Sequence, residues 1–363
     1  MLHSRLRPAP RRNVTRPVTT AAVPAPNFQD DELNNSDVEE STEDLFSTFL
    51  PHLFPDDAPS FHGDPGQYLL YSSPRYGELE IMIPSYPGQS EKRSEEVAAG
   101  LRGNEEKSGR NQTEEGRQLF AHFLWSAGMV VADGVETADR PMTADEGAIQ
   151  TEAREMWSVK GETVMELGAG AALPSLVCAL ANASLVAVTD HPASPAFTGA
   201  IDFNVNRNVL QRTPPPQTTV LIQPHEWGNM ADTFSESYKG KFTRIVAADC
   251  YWMRAQHENL VRTMDWFLAL GGKVWCVAGF HTGRAIVAGF FETALANGFE
   301  IERIFEKDLV SRDEHGGEIR REWVSEREGE SPENRQRWCV VAVLQRKTSA
   351  AEGEMDGDAR RRP

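Results

Sequence analysis

Two closely spaced glycines end a short apolar segment of this 363-residue chain, and their setting suits a ligand-binding turn. The segment Val164–Gly170 has the sequence VMELGAG, which predicts a buried strand followed by a turn. Glycine has no side chain, so the backbone at Gly168 and Gly170 can approach a bound molecule closely. The predicted helix beyond, with Pro174 in its first turn, offers unpaired amides at its N-terminus. The cofactor-binding residues predicted in this segment are Glu166, Gly168, Ala169 and Gly170.

An acid and a tryptophan follow the next two predicted strands. Asp190 ends the strand Leu185–Thr189, about 20 residues after the turn, where a carboxylate can accept hydrogen bonds from both ribose hydroxyls of an adenosine ligand. It could equally cap the next helix. Trp227, after the third strand, could stack on an adenine ring or pack in the core. Leu173 occupies the third glycine position of the G-x-G-x-x-G fingerprint, which disfavours a nicotinamide-dependent dehydrogenase.

The fourth predicted strand ends in residues that suit an amine. The sequence AADCYW covers Ala247–Trp252, and Asp249 within it could hold a cationic amine at the mouth of a pocket. Tyr251 or Trp252 could wall the amine's channel through cation–π contact. An ordinary loop acid is the alternative interpretation of Asp249. Trp125, in the segment LWSAG, is either a core residue or a ligand contact.

The segments that must position these residues alternate between strand and helix patterns. Seven strands are predicted in the main part of the chain: Thr163–Leu167, Leu185–Thr189, Thr218–Gln223, Arg244–Ala248, Lys273–Ala278, Glu300–Phe305 and Trp338–Leu344. The predicted helices are one that begins near Arg117, then Ala144–Trp157, one opened by Pro174, Thr198–Leu210, Ala255–Leu270 and Arg284–Ala296. This alternation predicts an α/β fold with a mostly parallel sheet and helices on both faces, and ligands bind such sheets at the carboxyl ends of the strands. The last two strands have no helix between them, so we expect an antiparallel hairpin at the sheet edge.

Composition divides the chain into segments of different character. The first part is rich in arginine and proline and then in acids, which predicts disorder. Tyr68–Tyr71 and Leu79–Ile83 flank a polar turn and predict a β-hairpin, and a polar stretch without aromatics follows. The predicted boundaries are a disordered tail at 1–43, a hairpin extension at 44–84, a disordered insertion at 85–116, an α/β domain at 117–347 and a disordered tail at 348–363.

The charge balance and the scattered metal-binding residue types exclude several classes of protein. The net charge of −17 argues against a general nucleic-acid binder, which would carry a basic face. The nine histidines form no HxxxH or HExxH pattern, so no metal site is predicted. The four cysteines lie singly in apolar runs, which predicts reduced core thiols. No apolar run approaches the length of about 20 residues that a membrane span requires.

The arginines that precede the first acid, Asp30, raise the question of a mitochondrial signal. Prolines among them would break the amphipathic helix that such a signal needs, so a disordered tail is the preferred interpretation. We expect a monomeric protein of the cytoplasm, with the nucleus as a second location.

Six motifs taken together resemble the fungal branch of methyltransferase family 16. They are LWSAG, MELGAGAALPSLV, VTDHP, HEWG, AADCYW and FFETALANGFEIERIFEKDL, and the resemblance covers about residues 117–346. That branch includes an elongation-factor N-terminal and lysine methyltransferase and proteins labelled nicotinamide N-methyltransferase. The resemblance implies a Rossmann-like, seven-stranded class I methyltransferase sheet that binds S-adenosyl-L-methionine.

The resemblance also implies a role for each matching position. Trp125 would contact the methyl donor from the leading helix, and Gly168, Ala169 and Gly170 would line its methionine and ribose part. Three other positions would contact the donor: Asp190 would bind the ribose, Trp227 would flank adenine, and Ala248 would contact the donor by its backbone. Asp249 and Trp252 would begin and end the family's D-x-x-aromatic motif beside the acceptor nitrogen. We therefore take Asp249 and Trp252 as the candidate catalytic residues.

The departures from the family pattern lie on the acceptor side. His191–Ala193 differs from the expected Tyr-Pro-Asp-like run, Trp252 replaces a Tyr or Phe, and Val310–Arg337 is long and charged. The leading hypothesis is N-methylation of a protein lysine or N-terminal amine, with a translation elongation factor as the expected partner. A small-molecule amine or pyridine such as nicotinamide is the alternative acceptor, and a non-catalytic donor-binding module is a third interpretation. Asp249 would orient the amine or the donor, while aromatic burial lowers the amine's pKa, and no general base is assigned.

Overall fold

A computed structural model of the chain describes residues 2–10, 61–85, 123–141, 148–314 and 317–347. The predicted disordered tail beyond Pro10, the insertion at 86–116 and the C-terminal tail at 348–363 lie outside these residues. The elements named below belong to the larger of two compact units, which comprises Met1–Pro8 and Ala58–Pro363. The smaller unit, Ala9–Asp57, falls outside the described residues apart from Ala9 and Pro10.

The described residues form thirteen strands and eight α-helices. The strands are β1 Leu6–Pro8, β2 Phe61–His62, β3 Tyr68–Ser73, β4 Gly77–Met82, β5 Leu124–Trp125, β6 Thr163–Leu167, β7 Leu185–Asp190, β8 Thr219–Pro224, β9 Phe242–Ala248, β10 Leu268–Gly279, β11 Phe299–Arg312, β12 Glu318–Arg321 and β13 Trp338–Arg346. The helices are α1 Ser126–Ala138, α2 Ala148–Trp157, α3 Leu173–Leu180, α4 Ala200–Val205, α5 Thr233–Ser237, α6 His257–Phe267, α7 Arg284–Ala296 and α8 Pro332–Gln336. No helix among them is long and apolar enough to cross a membrane.

The main sheet has eight strands in the order β12-β11-β13-β10-β9-β6-β7-β8. The five strands from β10 to β8 are parallel, as the alternation of strands and helices predicted. The predicted hairpin at the sheet edge is wrong in its placement, because β13 lies between β10 and β11 and pairs antiparallel with both. The edge is β12, an eighth strand within the charged segment, where the sequence has no apolar alternation to reveal it.

Two buried cores cover the two faces of the main sheet. Trp275 and Val277 of β10 belong to the core under α1 and α3, whereas Val274 and Cys276 belong to the core under α6 and α7. Successive side chains of a strand point to opposite faces, so a strand covered on both sides is apolar at every position. This two-sided burial fixes the sheet and hence the position of its carboxyl edge.

The predicted hairpin of the N-terminal extension is confirmed. Strands β3 and β4 pair antiparallel, with Tyr71 opposite Leu79. Two asparagine side chains, from α4 and the π-helical turn after it, bond the backbone of β4 as a neighbouring strand would. Asn208 bonds the amide and carbonyl of Glu80, and Asn204 bonds those of Met82 and also the carbonyl of Ala171. These bonds hold the hairpin to the segment that follows the glycine turn.

The start of the chain departs from the predicted disordered tail. Leu2 is buried, and β1 adds a third strand beside β3. The guanidinium of Arg5 bonds Asp133 at 2.6 Å, Glu136 at 2.9 Å and the hydroxyl of Tyr71 at 3.0 Å. One of the arginines that suggested disorder, Arg5, is therefore a largely buried ion-pair partner. Composition alone does not distinguish such a residue from a solvated charge.

The predicted helix bounds need three corrections. Among the described residues the first helix begins at Ser126, because Leu124–Trp125 form β5 and pair with β2. The predicted start near Arg117 falls in residues 117–122, which lie outside the described ones. The predicted helix Thr198–Leu210 is divided into a 3₁₀ turn, α4 and a π-helical turn at Asn206–Leu210. The predicted helix Ala255–Leu270 ends at Phe267, where β10 begins.

Candidate active site

An open cleft of about 790 Å³ lies at the carboxyl ends of the parallel strands. Eight predicted site residues line it: Trp125, Gly168, Gly170, Asp190, Trp227, Ala248, Asp249 and Trp252. Seven further residues line it that the sequence did not single out as site residues: Phe123, His191, His225, Glu226, Cys250, Met253 and Gln256. Most of these are immediate neighbours of predicted positions, so the quoted motifs located the right segments but not every contributing side chain.

The glycine turn adopts a backbone conformation that favours glycine. Gly168 has φ +65° and Gly170 has φ +52°, values in the left-handed region that side chains disfavour. A Cβ atom at Gly168 would lie 3.2 Å from the Sγ of Cys250 and 3.3 Å from the ring of Trp227. A side chain at position 168 is therefore disfavoured for two reasons, the backbone angle and the closeness of the cleft wall.

Two of the predicted cofactor residues do not line the cleft. Glu166 is buried, and its Oε2 accepts hydrogen bonds from the amide of Ser175 at 2.9 Å and from the hydroxyl of Ser175. Burial raises the pKa of Glu166 to about 8. Ala169 is also buried and donates its amide to the carbonyl of Thr189 at 2.9 Å. The prediction of Glu166 as a ligand contact is thus corrected, since its carboxyl holds the start of α3 behind the turn.

Asp190 lies at the end of β7 and joins the turn to it. Its Oδ2 accepts the amide of Gly170 at 2.8 Å, and its Oδ1 accepts the amide of His191 at 2.7 Å. The carboxylate also lines the cleft. The carboxylate therefore stands at the cleft wall already oriented by the glycine turn.

The segment after β8 brings an aromatic wall and an unpredicted histidine to the cleft. Trp227 lies beside Gly168, and its neighbour Gly228 bonds the hydroxyl of Thr263 at 2.9 Å. His225 is buried, and its Nε2 has no hydrogen-bond partner among the described residues. Burial lowers the pKa of His225, although the nearby Asp232 opposes this, so its neutral form is favoured. His225 is part of the HEWG motif, but nothing in the sequence distinguished it from a surface histidine.

Asp249 lies at the cleft in a strained and buried position. Its φ is +54°, which is uncommon for a residue with a side chain, and its carboxylate accepts the amide of Gly279 at 2.9 Å. Burial raises the pKa of Asp249, while His281 and the amides of Gly279 and Ala127 oppose this effect. The same carboxylate that faces the cleft thus also joins the ends of β9 and β10 and the start of α1.

The two aromatic residues after Asp249 have different surroundings. Trp252 lines the cleft, as predicted. Tyr251 is buried, donates its hydroxyl to the carbonyl of Ala247 at 2.6 Å, and lies 4.0 Å from the ring of Phe290 between centroids. The proposal that Tyr251 walls an amine channel is therefore wrong, because its ring packs in the core under α7.

A group of aromatic rings continues the cleft wall on the side of α1. Phe61 of β2 packs on Phe123 at 4.3 Å between ring centroids and on Trp125 at 5.6 Å, and 47% of its surface is exposed. His281, just beyond β10, stacks on Trp125 with 4.5 Å between ring centroids. Only its place after a strand's carboxyl end could have indicated His281 from the sequence.

The charges at the cleft suit a positively charged ligand. Asp190, Glu226 and Asp249 line it, and the described lining residues include no lysine or arginine. A cleft lined by one sign of charge concentrates ligands of the opposite sign. The described residues contain no group of histidine, cysteine, aspartate and glutamate that could hold a metal ion.

Comparisons with known proteins agree with this geometry. The chain matches the family described as lysine methyltransferase, methyltransferase family 16, over residues 105–295. It is 30% identical over 209 residues to the protein N-terminal and lysine N-methyltransferase EFM7 of Candida glabrata, covering 56% of this chain and 73% of that protein. It is 31% identical over 206 residues to the protein of the same name from Gibberella zeae, covering 52% of this chain and 69% of that protein.

A solved structure of a TehB-like SAM-dependent methyltransferase from Corynebacterium glutamicum is 17% identical and covers 53% of this chain and 85% of its own, with a TM-score of 0.36. That likeness is too low to carry an argument. The match over residues 105–295 spans more than half of the chain, and with the glycine turn, Asp190 and the acidic aromatic cleft it shows that the chain belongs to the lysine methyltransferase family.

Proposed function

We propose that this chain is an S-adenosyl-L-methionine-dependent N-methyltransferase that acts on a protein lysine or N-terminal amine. The observation that carries the proposal is that one cleft holds both a group of residues suited to the donor and a group suited to an amine. At one end a left-handed glycine turn is hydrogen-bonded to Asp190, and at the other Asp249 lies beside Trp252. The relatives named above are protein N-terminal and lysine N-methyltransferases, which supports a protein acceptor.

The residues of the first end fit S-adenosyl-L-methionine. Gly168 lines the cleft without a side chain, so its backbone can approach a ligand closely. Asp190 lies at the cleft wall, where its carboxylate would accept ribose hydroxyls, and the carboxylates suit a ligand that carries a sulfonium and an ammonium group. When bound, this donor supplies an electrophilic methyl group. Gly168, Gly170, Asp190, Trp227 and the backbone at Ala248 are the residues that would hold it.

The residues of the second end would receive the amine. Asp249 would attract a cationic amine and raise its pKa, whereas burial against Trp252 would lower that pKa and exclude water. The structure adds that the Asp249 carboxylate is already fixed by the Gly279 amide, so it can orient an amine without moving. Holding the two reactants in the right geometry can supply about 7–11 kcal/mol of the barrier in well-oriented systems.

The test is incubation of the purified chain with tritium-labelled donor and a fungal cell extract. Label in a protein band, on a lysine or N-terminal amine by mass spectrometry, is the expected result, and we propose an elongation factor as that band. Label confined to small molecules would overturn the proposal in favour of the small-molecule alternative. Donor binding without any labelled product would indicate a non-catalytic module. An acceptor of this kind suggests a cytoplasmic location, which microscopy of the tagged full chain would check.

A further inference from the structure

His281 lies next to two residues that line the cleft, Trp125 and Asp249. Its imidazole stacks on the indole of Trp125, with 4.5 Å between ring centroids and 28° between planes. Its Nδ1 lies 3.8 Å from Oδ1 of Asp249. Trp125 and Asp249 both line the cleft, whereas His281 is not among the residues that line it. One half-buried ring therefore contacts a predicted donor-side residue and a predicted acceptor-side residue at once.

The loop that carries His281 is held independently of the cleft. Phe280 is buried between the guanidinium of Arg284, 4.1 Å above its ring, and the ring of Trp323, which is stacked at 5.8 Å. Gly283 donates its amide to the carbonyl of Phe280 at 2.9 Å and has φ +94°, which closes the loop. The position of His281 is thus set by its own loop rather than by the ring it stacks on.

The charged segment after β11 holds this loop in turn. Arg284 bonds both oxygens of Glu306, at 2.6 and 2.8 Å, and both oxygens of Glu330, at 2.6 and 2.9 Å. Arg321 of β12 bonds the same two carboxylates. Such bidentate, charge-assisted bonds fix planar groups in orientation as well as in place. The segment whose length departs from the family pattern therefore stabilises the loop that bears His281.

The nitrogen that faces Asp249 has no competing partner. Nδ1 of His281 is buried and has no hydrogen bond among the described residues, so the Asp249 carboxylate is the polar group that it faces. The same Oδ1 of Asp249 accepts the amide of Gly279, two residues before His281, at 2.9 Å. Any shift of the His281 imidazole would consequently change its contacts with both the Trp125 indole and the Asp249 carboxylate.

We propose that His281 is a positioning residue for methyl transfer, which holds the Trp125 indole through its ring and the Asp249 carboxylate through its Nδ1. The inference rests on the proposed function, since it takes this cleft as the place of transfer. His281 does not touch either reactant, and it acts through the two residues that do.

Three substitutions separate the two contacts. His281→Phe keeps a ring to stack on Trp125 and removes the nitrogen that faces Asp249. His281→Asn keeps a polar group near Asp249 and removes the ring, and His281→Ala removes both. Because Trp125 is a predicted donor contact, the dissociation constant of the donor reports on the stack. The turnover number at saturating donor reports on Asp249.

The expected results differ in both measurements. Calorimetry should give His281→Phe a donor dissociation constant within about twofold of the wild type, and His281→Asn and His281→Ala about tenfold weaker binding. Turnover should fall about tenfold in His281→Phe and less in His281→Asn, because small misplacements of reacting groups are costly. A matched control is Tyr238→Ala, which removes another half-buried stacked ring, on Phe242, and should leave both values unchanged.

The comparison of donor binding decides the inference. If phenylalanine protects donor binding no better than asparagine, or if all three variants match the wild type, the assignment is overturned. The dissociation constant of the donor is measured without an acceptor. A failure to label any protein would therefore contradict the proposed function, while the comparison of donor binding among the His281 variants would still hold.

Discussion

At the scale of the residue, we propose that Asp190 is a polar contact of the donor. Its two oxygens accept the amides of Gly170 and His191, which orients the carboxylate at the cleft wall. Asp190→Asn removes the charge and one acceptor, and hydrogen bonds to charged groups contribute about 1.5–3 kcal/mol. We expect donor affinity, measured by calorimetry, to fall about 10- to 100-fold. The exposed Asp202→Asn is the control, and wild-type affinity in Asp190→Asn would refute the assigned role.

The glycine turn allows a second test with a matched pair of substitutions. Gly168→Ala and Gly161→Ala both place a side chain at a positive φ, +65° and +77°, which costs about 1–2 kcal/mol of stability in each case. Only at position 168 would the new Cβ meet cleft atoms, Cys250 and Trp227, since nothing lies within 4 Å at Gly161. Both variants should therefore melt lower, and only Gly168→Ala should lose donor affinity. Equal donor affinity in the two variants would show that the turn does not border the donor.

At the scale of the element, Glu166 links the end of β6 to the start of α3. Burial raises its folded-state pKa to about 8, above the usual 4.5. Between these values the folded chain holds a proton that the unfolded chain lacks, so stability falls as the pH rises through this interval and then levels off. The slope for one proton is at most about 1.4 kcal/mol per pH unit.

Glu166→Gln should flatten this dependence, because the amide oxygen can still accept the bonds from Ser175 without carrying a charge. Chemical denaturation between about pH 5 and pH 8 would measure the free energy of unfolding across the interval. Glu155→Gln, at an exposed position of α2, should keep the wild-type slope. A wild-type slope in Glu166→Gln would contradict the account of this carboxyl.

The junction between β4 and α4 depends on an asparagine that acts as a substitute strand. Asn204 is fully buried and bonds the amide and carbonyl of Met82 and the carbonyl of Ala171. Asn204→Ala leaves these backbone groups unsatisfied, which should cost about 2–3 kcal/mol in the free energy of unfolding. Asn206→Ala, at the exposed position two residues later, should change it by less than about 0.5 kcal/mol. A loss at Asn204 no larger than at Asn206 would argue against the substitute strand.

At the scale of the whole molecule, the sequence predicted the parts whose cause is local. The apolar runs of β6, β7, β9 and β10 are visible because both of their faces are buried, and the glycine turn is visible because only glycine suits its backbone. The cleft residues Asp190 and Asp249 could be located because each ends such a run.

Features that depend on distant partners could not be predicted in this way. The insertion of β13 between β10 and β11 is a matter of tertiary pairing that no local pattern encodes. Arg5 looks like a solvated charge until Asp133 and Glu136 are seen to accept its bonds. His281 acquires a role only because β5 brings Trp125 to its ring.

The most direct test of the central claim is transfer of tritium from labelled donor to protein in a cell extract, at a donor concentration below the wild-type dissociation constant. The wild type and the control Asp202→Asn should label the same protein band on an amine nitrogen, whereas Asp190→Asn should label it at least about tenfold less. A protein band labelled equally by Asp190→Asn, or label found only outside the protein fraction, would contradict the account.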